Sequence, residues 1–178
     1  MIKKDSILKF EILSTIFIII LGVILHFTYE WSNNNYFVGT FSAVNESTWE
    51  HLKLVFFPML ITTIIGHFVF SKDFKNYLCA KTQGILLAMS FIVIFFYTYT
   101  GIIGTNFTIL DIGSFFVAVI LGQFHAYKII KNGIACNDKI SLIILIILLL
   151  CFVIFTFYPP EIGGFKDSVT GAYGTFIV

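Results

Sequence analysis

Val44-Asn45-Glu46-Ser47-Thr48-Trp49-Glu50-His51-Leu52-Lys53-Leu54 places two carboxylates, an imidazole and an ammonium immediately ahead of an apolar run that continues to Phe70. Ser47 followed three residues later by Glu50 reads as a capping box that starts a helix where the chain meets the membrane surface. Glu46 and Glu50 share a face at i,i+4, and Glu50 reaches Lys53 at i,i+3, so the charges cluster rather than scatter. The run beyond them is long enough to cross a bilayer.

The rest of the chain resembles that run more than it resembles the motif. Of 178 residues, 58% are hydrophobic and 12% charged, with a mean hydropathy of +0.94. That is too apolar for an ordinary water-soluble domain. Five segments qualify as transmembrane helices, roughly 7–28, 49–70, 84–103, 108–130 and 140–158, and the expected fold is an all-α polytopic bundle forming a single integral membrane domain over 1–178. The first apolar run lacks a small-residue cleavage site and reads as a retained span. A net charge of +1 gives no electrostatic footprint for nucleic acid, and the partner implied by composition is the lipid bilayer.

All eleven basic residues are Lys, and nine of them (Lys3, Lys4, Lys9, Lys72, Lys75, Lys81, Lys128, Lys131, Lys139) fall on one side of this five-span arrangement. The positive-inside rule puts that side in the cytoplasm, with the N-terminus in and the C-terminus out. The outer side then collects Glu30, Glu46, Glu50, Asp111, Glu161 and Asp167, and an aromatic belt of Trp31, Tyr36, Phe37, Phe41 and Trp49. After Pro159-Pro160 the tail is too short to span, and its apolar Phe165, Tyr173 and Phe176 imply that it folds back over the outer mouth. Cys79, Cys136 and Cys151 are odd in number and lack CxxC spacing, so each is expected to behave as an isolated small hydrophobe.

Helical periodicity assigns faces. In the first span Glu11, Thr15, Gly22, His26 and Glu30 align; in the third, Gln83, Ser90, Tyr97 and Gly101; in the fourth, Asp111, Ser114, Ala118, Gly122 and His125. Ser114, Ala118 and Gly122 form a ridge of small residues of the kind that lets helices approach closely in lipid. Pro58 should kink the second span and widen the mouth. The fifth span has little polar relief and should be the most lipid-exposed.

The segments His26-Phe27-Thr28-Tyr29-Glu30-Trp31-Ser32, Val44 to Lys53, and Phe165-Lys166-Asp167 with Tyr173-Gly174 resemble an uncharacterised family of small Firmicute integral membrane proteins. The resemblance covers essentially the whole chain and implies a multi-pass protein of the bacterial inner membrane. It carries no assigned activity.

The candidate binding residues are His26, Glu30, Glu46, Glu50, His51, Lys53 and Asp111, expected around an extracytoplasmic acidic pocket between the first, second and fourth spans that would take a small solute or ion. Two imidazoles and two carboxylates at one membrane depth (His26, Glu30, Glu50, His51) also suit a mixed nitrogen and oxygen site for a divalent metal such as zinc. A metal-bound water there would make the protein a metal-dependent hydrolase of lipid or peptide at the outer leaflet. An accessory subunit of a larger membrane complex is a third reading. The competing structural account makes Glu50 the completion of a helix cap, gives Glu46 to the positive helix end, pairs Lys53 with a carboxylate and has His26 hydrogen-bond within the bundle. His67 and His125 lie nearer the other surface, where snorkelling explains them. Serine-hydrolase, Walker and dinucleotide motifs are absent from the sequence.

Overall fold

In the computed structural model, which describes residues 4–175, the chain forms α1 (Lys4–Trp31), a one-turn α2 (Tyr36–Gly39), α3 (Thr48–Phe70), α4 (Tyr77–Ile103), α5 (Thr108–Asn132), α6 (Asp138–Phe157) and a 3-10 turn at Gly163–Phe165. Lys3 and Phe176, used in the charge count and the tail assignment, lie outside the described residues. Five of the helices are long and apolar enough to cross a membrane. The fold is an all-helical bundle with five candidate spans.

The third predicted span starts at Tyr77 rather than 84 because Lys81 is not a loop residue. Its ammonium is fully buried, 2.6 Å from Glu11 Oε2 on α1 and 2.6 Å from Gln123 Oε1 on α5. A lysine with two such partners can enter the bundle, where an unpaired one would be expelled.

Small residues set the tightest helix crossing. A Cβ on Gly84 would stand 2.5 Å from the Gly122 carbonyl oxygen, and one on Gly122 would stand 2.5 Å from that of Gly84. Ala88, Ala118 and Ala126 extend the seam, so the predicted α5 ridge meets a matching Gly84/Ala88 ridge on α4. The polar face expected on α4 does not carry this contact: Ser90, Tyr97 and Gly101 are exposed. Without a hydrophobic drive between helices in lipid, close backbone approach outweighs side-chain polarity.

Around that seam Ile18, Val55, Phe56, Met59, Ile85 and Val119 are fully buried, closing the centre of the bundle with apolar side chains. Pro58 continues α3 from within. Its missing N–H frees the Leu54 carbonyl, and Gly22 of α1 approaches that oxygen so closely that a Cβ would lie 2.6 Å from it. α6 is the least buried span and joins the core chiefly through Phe152, whose ring lies 4.7 Å from Trp49 and 4.9 Å from Phe56.

The cysteine expectation is corrected. Cys79 in the first turn of α4 is bonded to Cys136 in the α5–α6 loop, with a Cα separation of 6.1 Å, leaving Cys151 as the free thiol. The spacing of 57 residues hid a pair that only the folded α4–α5 hairpin brings together.

Candidate metal centre at the bundle mouth

The motif folds as a cap and a clasp. Ser47 is the N-cap of α3, its hydroxyl accepting from Glu50 N–H at 3.3 Å. The reciprocal half of the capping box is not made by Glu50: the Ser47 N–H donates to Asn45 Oδ1 at 2.9 Å. Glu50 instead turns inward, its Oε2 accepting from Lys53 Nζ at 2.6 Å and from Val44 N–H at 3.1 Å. Lys53 spends its other donors on the Gly39 and Ser42 carbonyls, at 2.9 and 3.3 Å. Both side chains are buried. Thr156 on α6 adds a contact to Glu50 Oε1 at 3.4 Å. Glu50 and Lys53 thus tie the α2–α3 connection to α3 and α6, and face away from the mouth.

Because α3 begins only at Thr48, Glu46 is outside the helix and does not share a face with Glu50. It points the other way, to the imidazoles. Glu46 Oε2 lies 3.3 Å from His51 Nε2, Glu46 Oε1 lies 3.8 Å from His26 Nε2, and the two Nε2 atoms are 3.3 Å apart. One ligand atom from each residue falls within 4.8 Å of the others. The hydrogen bond with His51 is the main influence holding the Glu46 carboxyl below its usual range; burial opposes it, and the charges of His51 and His26 add to it.

Second contacts orient this group. His51 Nδ1 is 2.8 Å from the Ser47 carbonyl oxygen, which can only accept, so Nδ1 carries a proton and Nε2 is the nitrogen turned to the cluster, donating to Glu46 when protonated and able to ligate once that proton is lost. A ligating histidine is commonly held by such a carbonyl. His26 is placed by a local change in α1: the Ser42 hydroxyl donates to the Leu25 carbonyl and accepts from the Tyr29 N–H at 3.1 Å, standing between two groups that would pair in an unbroken helix. His26 Nδ1 is buried without a protein partner. Ser168 of the tail donates to the Glu46 carbonyl at 3.1 Å, Asn45 donates to the Gly174 carbonyl at 3.0 Å, and Phe165 stacks on Trp49 at 4.8 Å. The tail therefore folds back and braces the motif.

These three atoms suit a zinc-class ion. Tetrahedral ligation at about 2.0–2.1 Å separates neighbouring ligand atoms by about 3.3 Å, and two histidines with one glutamate are a known catalytic donor set that leaves a fourth position open. Beside the three residues lies a cavity of about 570 Å³, bounded by α1, α3, α4 and α5 and reaching Asp111. Asp111 is engaged by the Tyr99 hydroxyl and, at 3.4 Å, by Asn106.

Of the seven residues proposed from sequence, the fold brings together His26, Glu46 and His51, with Asp111 on the wall of the adjoining cavity. Glu50 and Lys53 form the separate buried clasp, and Glu30, exposed in the last turn of α1, stands outside the metal-ligand group. Of the suggested metal ligands, Glu30 and Glu50 are replaced in the geometry by Glu46. What sequence reasoning missed was the consequence of its own cap: a helix starting after Ser47 must turn Glu46 and Glu50 to different sides.

No curated protein and no solved structure matches this chain. Residues 1–175 match the family of unknown function DUF6512, and this helical protein with five candidate spans belongs to that family.

Proposed function

We propose that the protein binds a divalent metal of the zinc class at the extracytoplasmic mouth of its bundle, through His26 Nε2, His51 Nε2 and the Glu46 carboxylate. The observation that carries this reading is the convergence of the three side chains: the two Nε2 atoms stand 3.3 Å apart, about the edge of a tetrahedron around zinc, the Glu46 carboxylate meets them through Oε2 at 3.3 Å and Oε1 at 3.8 Å, and one ligand atom from each residue lies within 4.8 Å of the others. The Ser47 carbonyl that accepts from His51 Nδ1–H supports it, because it leaves Nε2 as the nitrogen available to ligate. A path through the bundle receives less support, since Ile18, Met59, Ile85 and Val119 fill its centre. Elemental analysis of the purified protein tests the reading: about one zinc per chain is expected, and its loss in His26→Ala and His51→Ala variants that keep their fold. Substoichiometric metal in wild-type protein reconstituted with zinc overturns it.

The fourth position favours a second reading, a metal-dependent hydrolase acting at the outer leaflet. A three-ligand zinc brings the pKa of a bound water down to about 7, and the adjoining cavity would hold the substrate beside it. Turnover of ester- or amide-bearing amphiphiles by the zinc-loaded protein, lost with the metal, is the corresponding test.

A further inference from the structure

The cavity beside the three ligands has two kinds of wall. Its rim is polar: His26, Glu46, Thr48, His51, Asn106 and Ser168 surround it at the level where α3 and α5 begin. Below the rim the lining turns apolar, through Val23 on α1, Leu54 on α3, Phe96 on α4, and Ile112 and Phe116 on α5, with Phe27 flanking His26 at the rim itself. The floor is the meeting point of three helices, where a Cβ on Gly22 would lie 2.6 Å from the Phe115 ring and 2.6 Å from the Leu54 carbonyl oxygen. From Ile112 to Phe115 and from His26 down to Gly22 is about one helical turn each, so the apolar part begins directly under the metal ligands.

The cleft also has a side. Val23, Phe27 and Ile112 line it and are 44%, 43% and 52% exposed, on the outer surface of α1 and α5 that a span presents to lipid. An occupant could therefore enter from the bilayer without crossing water. A volume of about 570 Å³ is ample for part of an alkyl chain and far larger than an ion requires.

We infer that this cleft is a lipid site: it takes one alkyl chain of an amphiphile below the rim and the anionic oxygen of its phosphate headgroup at the metal's fourth position. The inference rests on the metal reading for its headgroup half. Charge at the ion itself favours the anion, since a divalent ion with one carboxylate and two neutral imidazoles carries a formal +1, while Asp111 on the cavity wall brings the lining as a whole to neutral. The carboxylate of Asp111 is engaged by Tyr99 and Asn106. The Thr48 hydroxyl, which accepts from Tyr97, stands at the same rim to donate to a remaining phosphate oxygen. The lateral opening selects a membrane-borne phosphate over a free one, because an ion from water would leave the apolar part of the cleft unused.

Native mass spectrometry from a maltoside detergent tests this, counting zinc and amphiphile on the same protein. Dodecyl phosphate, dodecanol and inorganic phosphate are the probes. The zinc-loaded protein is expected to retain one dodecyl phosphate at a concentration at least tenfold below that needed for dodecanol, with equimolar inorganic phosphate unable to displace it. Ile112→Trp, which fills the cleft from its lipid side, should weaken dodecyl phosphate at least tenfold while keeping one zinc, and Val23→Trp should do the same from α1. Zinc retained with no dodecyl phosphate, or with dodecyl phosphate and dodecanol held equally, overturns the inference and leaves the metal reading standing. Displacement by inorganic phosphate overturns the lipid source. Dodecyl phosphate held equally by zinc-free protein overturns the metal-to-headgroup link, and absence of zinc from the reconstituted protein overturns the metal reading itself.

Discussion

The Nε2 atoms of His26 and His51 face each other at 3.3 Å across the gap between α1 and α3, with the Glu46 carboxylate closing the triangle. Removing one corner should be more informative than removing the whole. Glu46→Gln keeps the size and hydrogen-bonding oxygen of the side chain but not its charge, so zinc affinity should fall by at least tenfold with little change in thermal stability. Isothermal titration with zinc measures the first and a melting curve the second. Unchanged affinity would place the metal, if any, elsewhere.

Glu50→Gln should behave in the opposite way. The substitution leaves the Lys53 ammonium buried without its countercharge, a loss of about 3–5 kcal/mol for a broken buried pair. The folded fraction that survives should still bind zinc at one per chain, since Glu50 faces away from the imidazoles. Loss of zinc from well-folded Glu50→Gln protein would contradict this division of labour.

The pH dependence follows from the ligands. Protons compete with the metal for the imidazole nitrogens, so zinc affinity should decline as pH falls. The Glu46 carboxyl is held below its usual range by His51, so it stays ionised through that decline. What its interaction adds to stability is present above the unfolded carboxylate range and is lost only as pH drops through its own lowered value. A Glu46→Gln protein should therefore differ from wild type by losing the acid limb of the stability profile. Titration of melting temperature against pH from 3 to 8 separates the two.

Gly122→Leu should disrupt the α4–α5 seam. Even a Cβ would stand 2.5 Å from the Gly84 carbonyl oxygen, which is backbone and cannot rotate away. The helices must move apart at a cost of about 1–3 kcal/mol or more. A melting temperature within error of wild type would mean that the helices are not in contact there.

Orientation is open to direct labelling. An exposed Asn34→Cys should react with a membrane-impermeant maleimide in intact cells, whereas Lys75→Cys should not, as the lysine distribution requires. With that orientation Cys79 and Cys136 lie in the reducing compartment, where their bond forms on oxidation rather than as a standing feature. Labelling of Lys75→Cys from outside would reverse both statements.

The bilayer made the architecture legible: five long apolar segments can do little else, and the predicted spans match α1, α3, α5 and α6 to within a few residues at each end. The exception, α4, shows where such reading fails. Lys81 looks like a loop residue until Glu11, seventy residues earlier, and Gln123 are placed around it. The site was legible in composition and misread in grouping. Ser47 was recognised as a cap, yet i,i+4 spacing was applied across it, and that spacing holds only inside a helix. Cys79 and Cys136 gave no local signal because their pairing is a property of the hairpin, not of either segment.

The bond from Asn45 to the Gly174 carbonyl spans 129 residues, and the one from Ser168 to the Glu46 backbone spans 122. During biosynthesis, α1 and α3 can enter the membrane and pair long before that part of the chain exists. The mouth stays unbraced until Ser168 and Gly174, which follow all five candidate spans, have been made. A nascent chain stalled before α6 would hold its histidines in place without the strap that steadies Glu46.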